Sequence, residues 1–164
     1  MTSSDLVMYE DEFKLIDAEL QNLKVQANAS VVFLVDKNGQ LIASAGETQD
    51  VDTTSLASLT AGNIAATGGI AKLLGEEEFT ILFHEGARDN INISLVGNRV
   101  ILAVIFDNRS SIGLVRLRVK KATENLAKIF DEIAGKAERE RSGGTSDDSP
   151  FSQISDDDID SLFR

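Results

Sequence analysis

The sequence predicts an α/β sandwich of the α+β type, in which one five-stranded antiparallel sheet lies between helices on both of its faces. Two observations lead to this class. Five apolar, β-branched stretches fall into a pair and a group of three, and short turns separate the members of each set, as expected for antiparallel neighbours. Three segments with helical spacing precede, divide and follow the two sets, so the element order is αββαβββα.

The first predicted helix is amphipathic and leads into a hairpin. Its apolar residues recur at alternating steps of three and four, which places them in one buried stripe. That stripe comprises Leu6, Tyr9, Phe13, Ile16, Leu20, Leu23 and Ala27. Strands 31–36 and 41–46 follow as a hairpin, because Asn38-Gly39 between two apolar runs favours a tight turn with positive φ.

The second predicted helix, residues 53–71, contains no charged residue. Asp52 or Thr53 can cap its start, and Gly75 marks its end. Soluble helices normally show a charged face to water, whereas this one consists mostly of Ala, Gly, Ser and Thr. Because a glycine inside a helix costs roughly 1 kcal/mol relative to alanine, something must offset its glycines. We interpret the outer faces as an interface, and the alternative is a helix buried within one subunit.

Three further strands and a third helix complete the predicted domain. Strands 79–85, 91–96 and 100–106 form a meander, in which Gly97 opens a two-residue turn. The last helix can be capped by Asp107, Asn108 or Ser110. Its core stripe comprises Ile112, Val115, Val119, Ala122, Leu126, Ile129, Phe130 and Ile133.

The composition divides the chain into three parts. Residues 1–141 form one predicted domain, residues 142–150 a flexible linker, and residues 151–164 a docking peptide that folds on binding. Large apolar side chains are unusual in a spacer. The tail nevertheless contains Phe151, Ile154, Ile159, Leu162 and Phe163.

Charge is distributed unevenly along the chain. The net charge of −11 argues against nucleic acid as a partner. Residues 109–141 are nevertheless basic, with 9 cationic and 5 anionic side chains. The main candidates among these cations are Arg116, Lys120, Lys121 and Lys128, and the others include Arg109, Arg118 and Lys136. They predict a solvated face, or a surface that docks an acidic partner or the acidic tail. An arginine finger supplied in trans is a further alternative.

Several classes of function are disfavoured by residues that are missing. No cysteine is present, and His84 is the only histidine, so we expect a structural histidine and no metal site or cofactor. Gly68-Gly69 lacks the Lys-Ser/Thr of a phosphate-binding loop. The polar residues within 53–71 disfavour a membrane span, and acidic residues near the N-terminus disfavour a signal peptide. We therefore expect a cytoplasmic protein, and an enzyme with an unrecognised pocket is weakly supported.

Long blocks of the sequence resemble the Roadblock family of dynein-light-chain-like domains, and within it the bacterial members that activate a GTPase. The resemblance extends from about Leu6 to the end of the chain. It is carried by the blocks VVFLVDKNGQLIASAG, DTTSLASLTAGNIAATGGIAKLLGE, FHEG, VILAVIFDNRSSIGLVRLRVKKA and SDDDIDSLF. Because several blocks agree in order, the match is specific.

The resemblance implies a homodimer that binds a Ras-like small GTPase of bacterial polarity and motility, one per dimer, at a cell pole. It implies stimulation of GTP hydrolysis by remodelling the GTPase, without a catalytic residue of its own. In Roadblock dimers the second helix pairs with its symmetry mate, and a strand edge can join the two sheets. The alternative is a Roadblock scaffold that links a GTPase or motility complex without accelerating hydrolysis.

The resemblance also assigns residues to partners. The implied GTPase contacts are Ala61, Ala65, Gly68, Gly69 and Lys72. The implied dimer contacts are Leu59, Ala66, Ile70 and Leu73. For the apolar tail, the resemblance favours a second site on the same GTPase, and the alternative target is a different protein.

Overall fold

The computed structural model describes residues 10–143, with side chains described as far as residue 141. Its elements are α1 Glu10–Gln26, β1 Val31–Asp36, β2 Leu41–Gly46, α2 Thr53–Leu73, β3 Ile81–Glu85, β4 Asn90–Val96, β5 Val100–Phe106 and α3 Ile112–Gly143. The predicted order αββαβββα is therefore confirmed. Leu6, Tyr9, residues 144–150 of the predicted linker and the tail 151–164 lie outside the described residues.

The five strands form one antiparallel sheet in the order β2-β1-β5-β4-β3. The β1–β5 pairing joins the two hairpin sets, with Phe33 opposite Ala103 at its centre. Both of these strands are almost wholly buried. Strands β2 and β3 are the edges, and Phe83 of β3 stacks on Phe106 of β5 with ring centroids 6.1 Å apart. Within residues 10–143, the sheet thus has a buried centre and two edge strands that each pair on one side only.

Alternate side chains of the strands serve two separate cores. Val32 and Leu34 of β1 join the core beneath α1 and α3, whereas Phe33 and Val35 join the core beneath α2. This division follows from the period of two along a strand. Helices α1 and α3 therefore share one face of the sheet, and α2 covers the other face.

Helices α1 and α3 pack antiparallel, and their pairing changes the predicted stripe of α1. Glu12 forms an ion pair with Lys136 near the C-terminal end of α3, and this contact holds the pKa of Glu12 below its usual value. Glu12 is only 3% exposed, whereas Phe13, predicted to be buried, is 39% exposed. The prediction for Phe13 is wrong because its neighbour Glu12 is buried instead. The partner of Glu12 is Lys136, which comes from a helix at the other end of the sequence.

One turn and one strand boundary differ from their predictions. Val96 pairs with Val100, so Gly97-Asn98-Arg99 forms a three-residue loop rather than a two-residue turn. Gly97 still takes a positive φ of 60°, which glycine adopts most easily. Strand β3 begins at Ile81, two residues later than the predicted strand.

The cap of α3 is Ser111, whose hydroxyl accepts a hydrogen bond from Leu114 N at 3.2 Å. None of the three predicted caps serves there. Asp107 instead accepts from the backbone N–H of Arg109 at 3.0 Å, and Ser110 donates its hydroxyl to the carbonyl of Ala27 at 2.5 Å. Both side chains stabilise the turn before the helix, which leaves the cap to the next residue.

Candidate partner-binding surface on helix α2

Helix α2 begins at a well-formed cap. The carboxylate of Asp52 accepts hydrogen bonds from the backbone N–H of Ser55 at 3.1 Å and from its hydroxyl at 2.7 Å. These bonds favour the charged carboxylate and hold the pKa of Asp52 below its usual value. The predicted cap at Asp52 and the predicted stop before Gly75, which has a φ of 80°, are both confirmed.

One face of α2 is seated on the sheet. Ala57 and Ala61 are buried in the core of this side, and Leu56 and Ile64 pack against it. The β1–β2 turn approaches the same helix: a Cβ at Gly39 would lie 3.2 Å from the Cα of Ser58. Gly39 also has a φ of 92°. Glycine therefore suits both the positive φ of the turn and the close approach to α2. Packing within the subunit therefore explains why the residues on this inner face are small.

A side-chain contact ties the middle of α2 to strand β3. Asn63 Nδ2 lies 3.0 Å from His84 Nε2, within hydrogen-bonding distance. His84 stands beside a cleft of 500 Å³ whose other polar walls include Asp50, Glu85 and Asp89. Within residues 10–143, no group of three or more His, Cys, Asp or Glu side chains is suited to hold a metal ion.

The outer surface of α2 lacks such an explanation within the subunit. A Cβ added at Gly62, Gly68 or Gly69 would meet nothing within 4 Å. Ala65 and Ala66 beside them are exposed. No contact among the described residues thus requires these positions to be small.

The four predicted dimer contacts share one line along this outer surface. Leu59, Ala66, Ile70 and Leu73 are spaced by seven, four and three residues, which brings them to one side of a helix with 3.6 residues per turn. Leu59 is 71% and Leu73 88% exposed, and Ile70 is also exposed. We call these four residues the apolar stripe. Leu74 at the end of α2 is exposed as well, whereas the exposed Ile81 of β3 pairs with Ser94 and lies on the other face of the sheet.

Neither Leu74 nor Ile81 was among the predicted contact residues. Their exposure could not be inferred from sequence, because a leucine before a helix-ending glycine and an isoleucine in a strand are usually buried.

The five predicted GTPase contacts do not all share one environment. Ala65, Gly69 and Lys72 are exposed, and Gly68 is half-buried. Ala61 is 8% exposed and packs in the core with Ala57, so it offers almost no surface to a partner. We call Ala65, Gly68, Gly69 and Lys72 the small-residue stripe. It lies roughly a third of a turn from the apolar stripe around the helix axis.

The basic residues of α3 occupy the opposite face of the sheet from α2. Arg116, Lys120, Lys121 and Lys128 are exposed there. Two other cations are engaged within the fold. Arg109 pairs with Asp107 at 3.0 Å, which raises the pKa of Arg109, and Lys136 pairs with Glu12. No described helix is both long and apolar enough to cross a membrane.

Comparisons with known proteins agree with this architecture. A family model described as the Roadblock/LC7 domain matches residues 15–106. The chain is 66% identical to Myxococcus xanthus MglB, with a TM-score of 0.74 over 78% of this chain and 96% of that one. It is 31% identical to the gliding protein MglB of Thermus thermophilus, with a TM-score of 0.75 over 80% of this chain and 99% of that one.

A third similar structure is an MglB with a tetrameric arrangement. It is 30% identical, with a TM-score of 0.76 over 80% of this chain and 99% of that one. No curated protein matches the chain. The family match over more than half of the sequence, together with these identities, shows that the chain belongs to the Roadblock/LC7 family.

Proposed function

We propose that the chain is a homodimeric regulator that binds an MglA-like Ras-family GTPase and stimulates its GTP hydrolysis. The observation that carries this proposal is the outer surface of α2, where three glycines face open space in a chain 66% identical to M. xanthus MglB. Each glycine costs roughly 1 kcal/mol relative to alanine inside a helix. Since no described contact within the subunit requires them, a contact with another chain is what offsets the cost.

The apolar stripe supports the dimer. Leu59 and Leu73 are large apolar side chains left mostly in water, and β3 is an edge strand that pairs only with β4 among the described strands. Both features favour association with another copy. In the proposed dimer, α2 packs against its symmetry mate along the apolar stripe, and the two β3 edges lie next to each other.

The small-residue stripe is the proposed contact with the GTPase. Side chains as short as those of Ala65 and Gly69 allow the backbone of a partner to approach closely, and Lys72 adds one positive charge. Two symmetry-related copies of α2 would form one platform, which suits one GTPase per dimer. Ala61 is not included in this contact because it is buried.

The proposed activation needs no catalytic residue from this chain. Arg109 is paired with Asp107, and Arg116 lies on the other face of the sheet from α2, so neither supports an arginine finger. We propose instead that binding aligns the catalytic groups of the GTPase itself, since hydrolysis depends on positioning the attacking water and stabilising charge on the phosphate. The protein would then act in the cytoplasm, at a cell pole, to control polarity and motility.

Phosphate release tests the proposal. An MglA-like GTPase loaded with GTP is titrated with the full chain, and free phosphate is followed with time. We expect hydrolysis to accelerate by at least tenfold and to saturate at one GTPase per two chains. Light scattering on the same sample should give a mass of twice 17.7 kDa for the free protein.

Two results would overturn parts of this proposal. Tight binding with unchanged hydrolysis would refute activation and leave the Roadblock scaffold as the function. A stable mass of 17.7 kDa would refute the dimer, and four times that mass would indicate a tetramer.

A further inference from the structure

A groove of 460 Å³ lies between α3 and the edge strand β3, on the opposite side of the sheet from α2. Ile81 and Ser94 face each other across the β3–β4 pairing and belong to its floor. Val119 and Thr123 of α3 form its wall. The groove is separate from both stripes of α2, so a ligand here would leave them accessible.

The floor of this groove contains an unsatisfied buried amide. Asn92 is 1% exposed, and its Nδ2 donates a hydrogen bond to Ser94 Oγ at 3.1 Å. Among residues 10–143, no group forms a hydrogen bond with its Oδ1. Turning the amide over would only exchange the satisfied atom for the unsatisfied one. A buried polar group without a partner destabilises the fold, so a donor or acceptor brought in by a ligand would be stabilising.

The rim of the groove is cationic. Arg116 and Lys120 stand one helical turn apart, both are exposed, and neither forms an ion pair with a described residue. On β3, across the groove from these two cations, Ile81 is more than half exposed. The groove therefore suits a segment that combines carboxylates, large apolar side chains and a free peptide backbone.

The tail of this chain has that composition. Residues 142–164 contain 6 acidic side chains and 1 basic one. Asp156-Asp157-Asp158 stands directly before Ile159, and Leu162 and Phe163 follow within four residues. An acidic run and three large apolar side chains thus lie together within residues 156–163.

The tail is also long enough to reach the groove. Lys120 lies 23 residues before Gly143, a distance of about 35 Å along a helix at 1.5 Å per residue. Residues 144–154 can span about 36–40 Å when extended. The acidic run at 156–158 therefore reaches the rim without being fully stretched.

We propose that residues 151–164 dock in the groove between α3 and β3. The carboxylates of residues 156–158 pair with Arg116 and Lys120, the apolar side chains that follow cover Ile81, and the peptide backbone supplies the missing partner of Asn92. A docked tail is withheld from other surfaces. Where the proposed GTPase function holds, the groove and the GTPase compete for the same segment.

A spin label in the tail tests the docking without any GTPase. The chain has no cysteine, so Ser161→Cys gives a single attachment point for a nitroxide in the full-length protein. Paramagnetic broadening of backbone amides is then read in a ¹⁵N spectrum. We expect the signals of Ile81, Ser94 and Thr123 to lose most of their intensity and to regain it when the nitroxide is reduced.

Charge reversal supplies the matched controls. The double variant Arg116→Glu, Lys120→Glu should abolish the broadening, whereas Lys128→Glu on the same helix, outside the groove, should retain it. The same spectra report whether each variant is folded. Mixing ¹⁵N-labelled chains with spin-labelled ¹⁴N chains shows whether the docked tail belongs to the same subunit or to its partner, and either result supports docking.

Two outcomes would overturn the docking. Equal intensities in the groove with oxidised and reduced label would show that the tail does not dock there. Broadening confined to α2 would place the tail on another surface.

Discussion

The two faces of the sheet are covered in different ways. Beneath α1 and α3, large side chains such as Leu20, Phe106 and Leu126 are almost completely buried, and the helices are joined to each other by the Glu12–Lys136 ion pair. Above the other face, α2 contributes mainly Ala57 and Ala61 to a smaller core. Its outer surface holds exposed leucines, and glycines at which an added Cβ would meet no described atom within 4 Å.

This difference indicates which face is complete within one subunit. The α1/α3 side buries most of its large apolar residues and pairs its buried Glu12 with Lys136. The α2 side instead exposes large apolar side chains along one line of the helix and carries glycines that lower helix stability. Such a helix is consistent with a surface that other chains cover.

The largest effect is expected on the complete face. Leu126→Ala removes a fully buried side chain of α3 and should lower the free energy of unfolding by about 2–5 kcal/mol, because it leaves a cavity. Leu117→Ala removes an exposed leucine of the same helix and should change it by less than about 0.5 kcal/mol. Denaturant unfolding compares the two. Similar losses in both variants would contradict the assigned core.

A smaller effect of opposite sign is expected on the incomplete face. Gly69→Ala adds a methyl group to open space, so the free energy of unfolding should rise by about 0.5–1 kcal/mol through helix propensity. The same methyl group should weaken GTPase binding by about 1–3 kcal/mol through overpacking of the contact. Denaturant unfolding and titration calorimetry measure the two quantities. A loss of stability with unchanged binding would indicate that the glycine serves the subunit instead.

The smallest effect concerns the two helix caps. Asp52→Ala removes an ionisable cap from α2, and Ser111→Ala removes a hydroxyl cap from α3. The folded-state pKa of Asp52 lies below its unfolded value near 4. Its contribution is therefore present above about pH 4 and is lost as pH falls through the folded-state pKa.

The destabilisation by Asp52→Ala should accordingly shrink on acidification from pH 7 to pH 3, and that by Ser111→Ala should stay constant. Thermal unfolding at a series of pH values measures both. A pH-independent loss at Asp52 would mean that its carboxylate does not hold the cap.

Much of the fold is encoded in local patterns. All five strands and the start of α2 follow from alternation, turn residues and a capping aspartate, each of which acts over a few residues. Features that depend on tertiary contacts are not predicted by such local patterns. The burial of Glu12 requires Lys136, and the cap at Ser111 is revealed only when Asp107 is found to be occupied in a turn.

The candidate surface was partly predictable for a related reason. The absence of charge singled out α2, but small residues occur on its inner and outer sides alike. Ala61 and Ala65 look equivalent in sequence, yet the first is buried against the sheet and the second is exposed. The orientation of the helix decides between them, and that orientation is fixed by packing with β1 and its turn.

The central claim is that the exposed small residues of α2 form the contact with the GTPase. It is tested most directly by placing the same side chain on both helices. Gly69→Arg and Gly113→Arg each add an arginine at an exposed glycine with open space around it, the first on α2 and the second on α3. Calorimetry then measures binding of an MglA-like GTPase loaded with a non-hydrolysable GTP analogue. We expect Gly69→Arg to weaken binding at least 100-fold and Gly113→Arg to bind as the unmodified protein does; wild-type affinity in Gly69→Arg would contradict the claim.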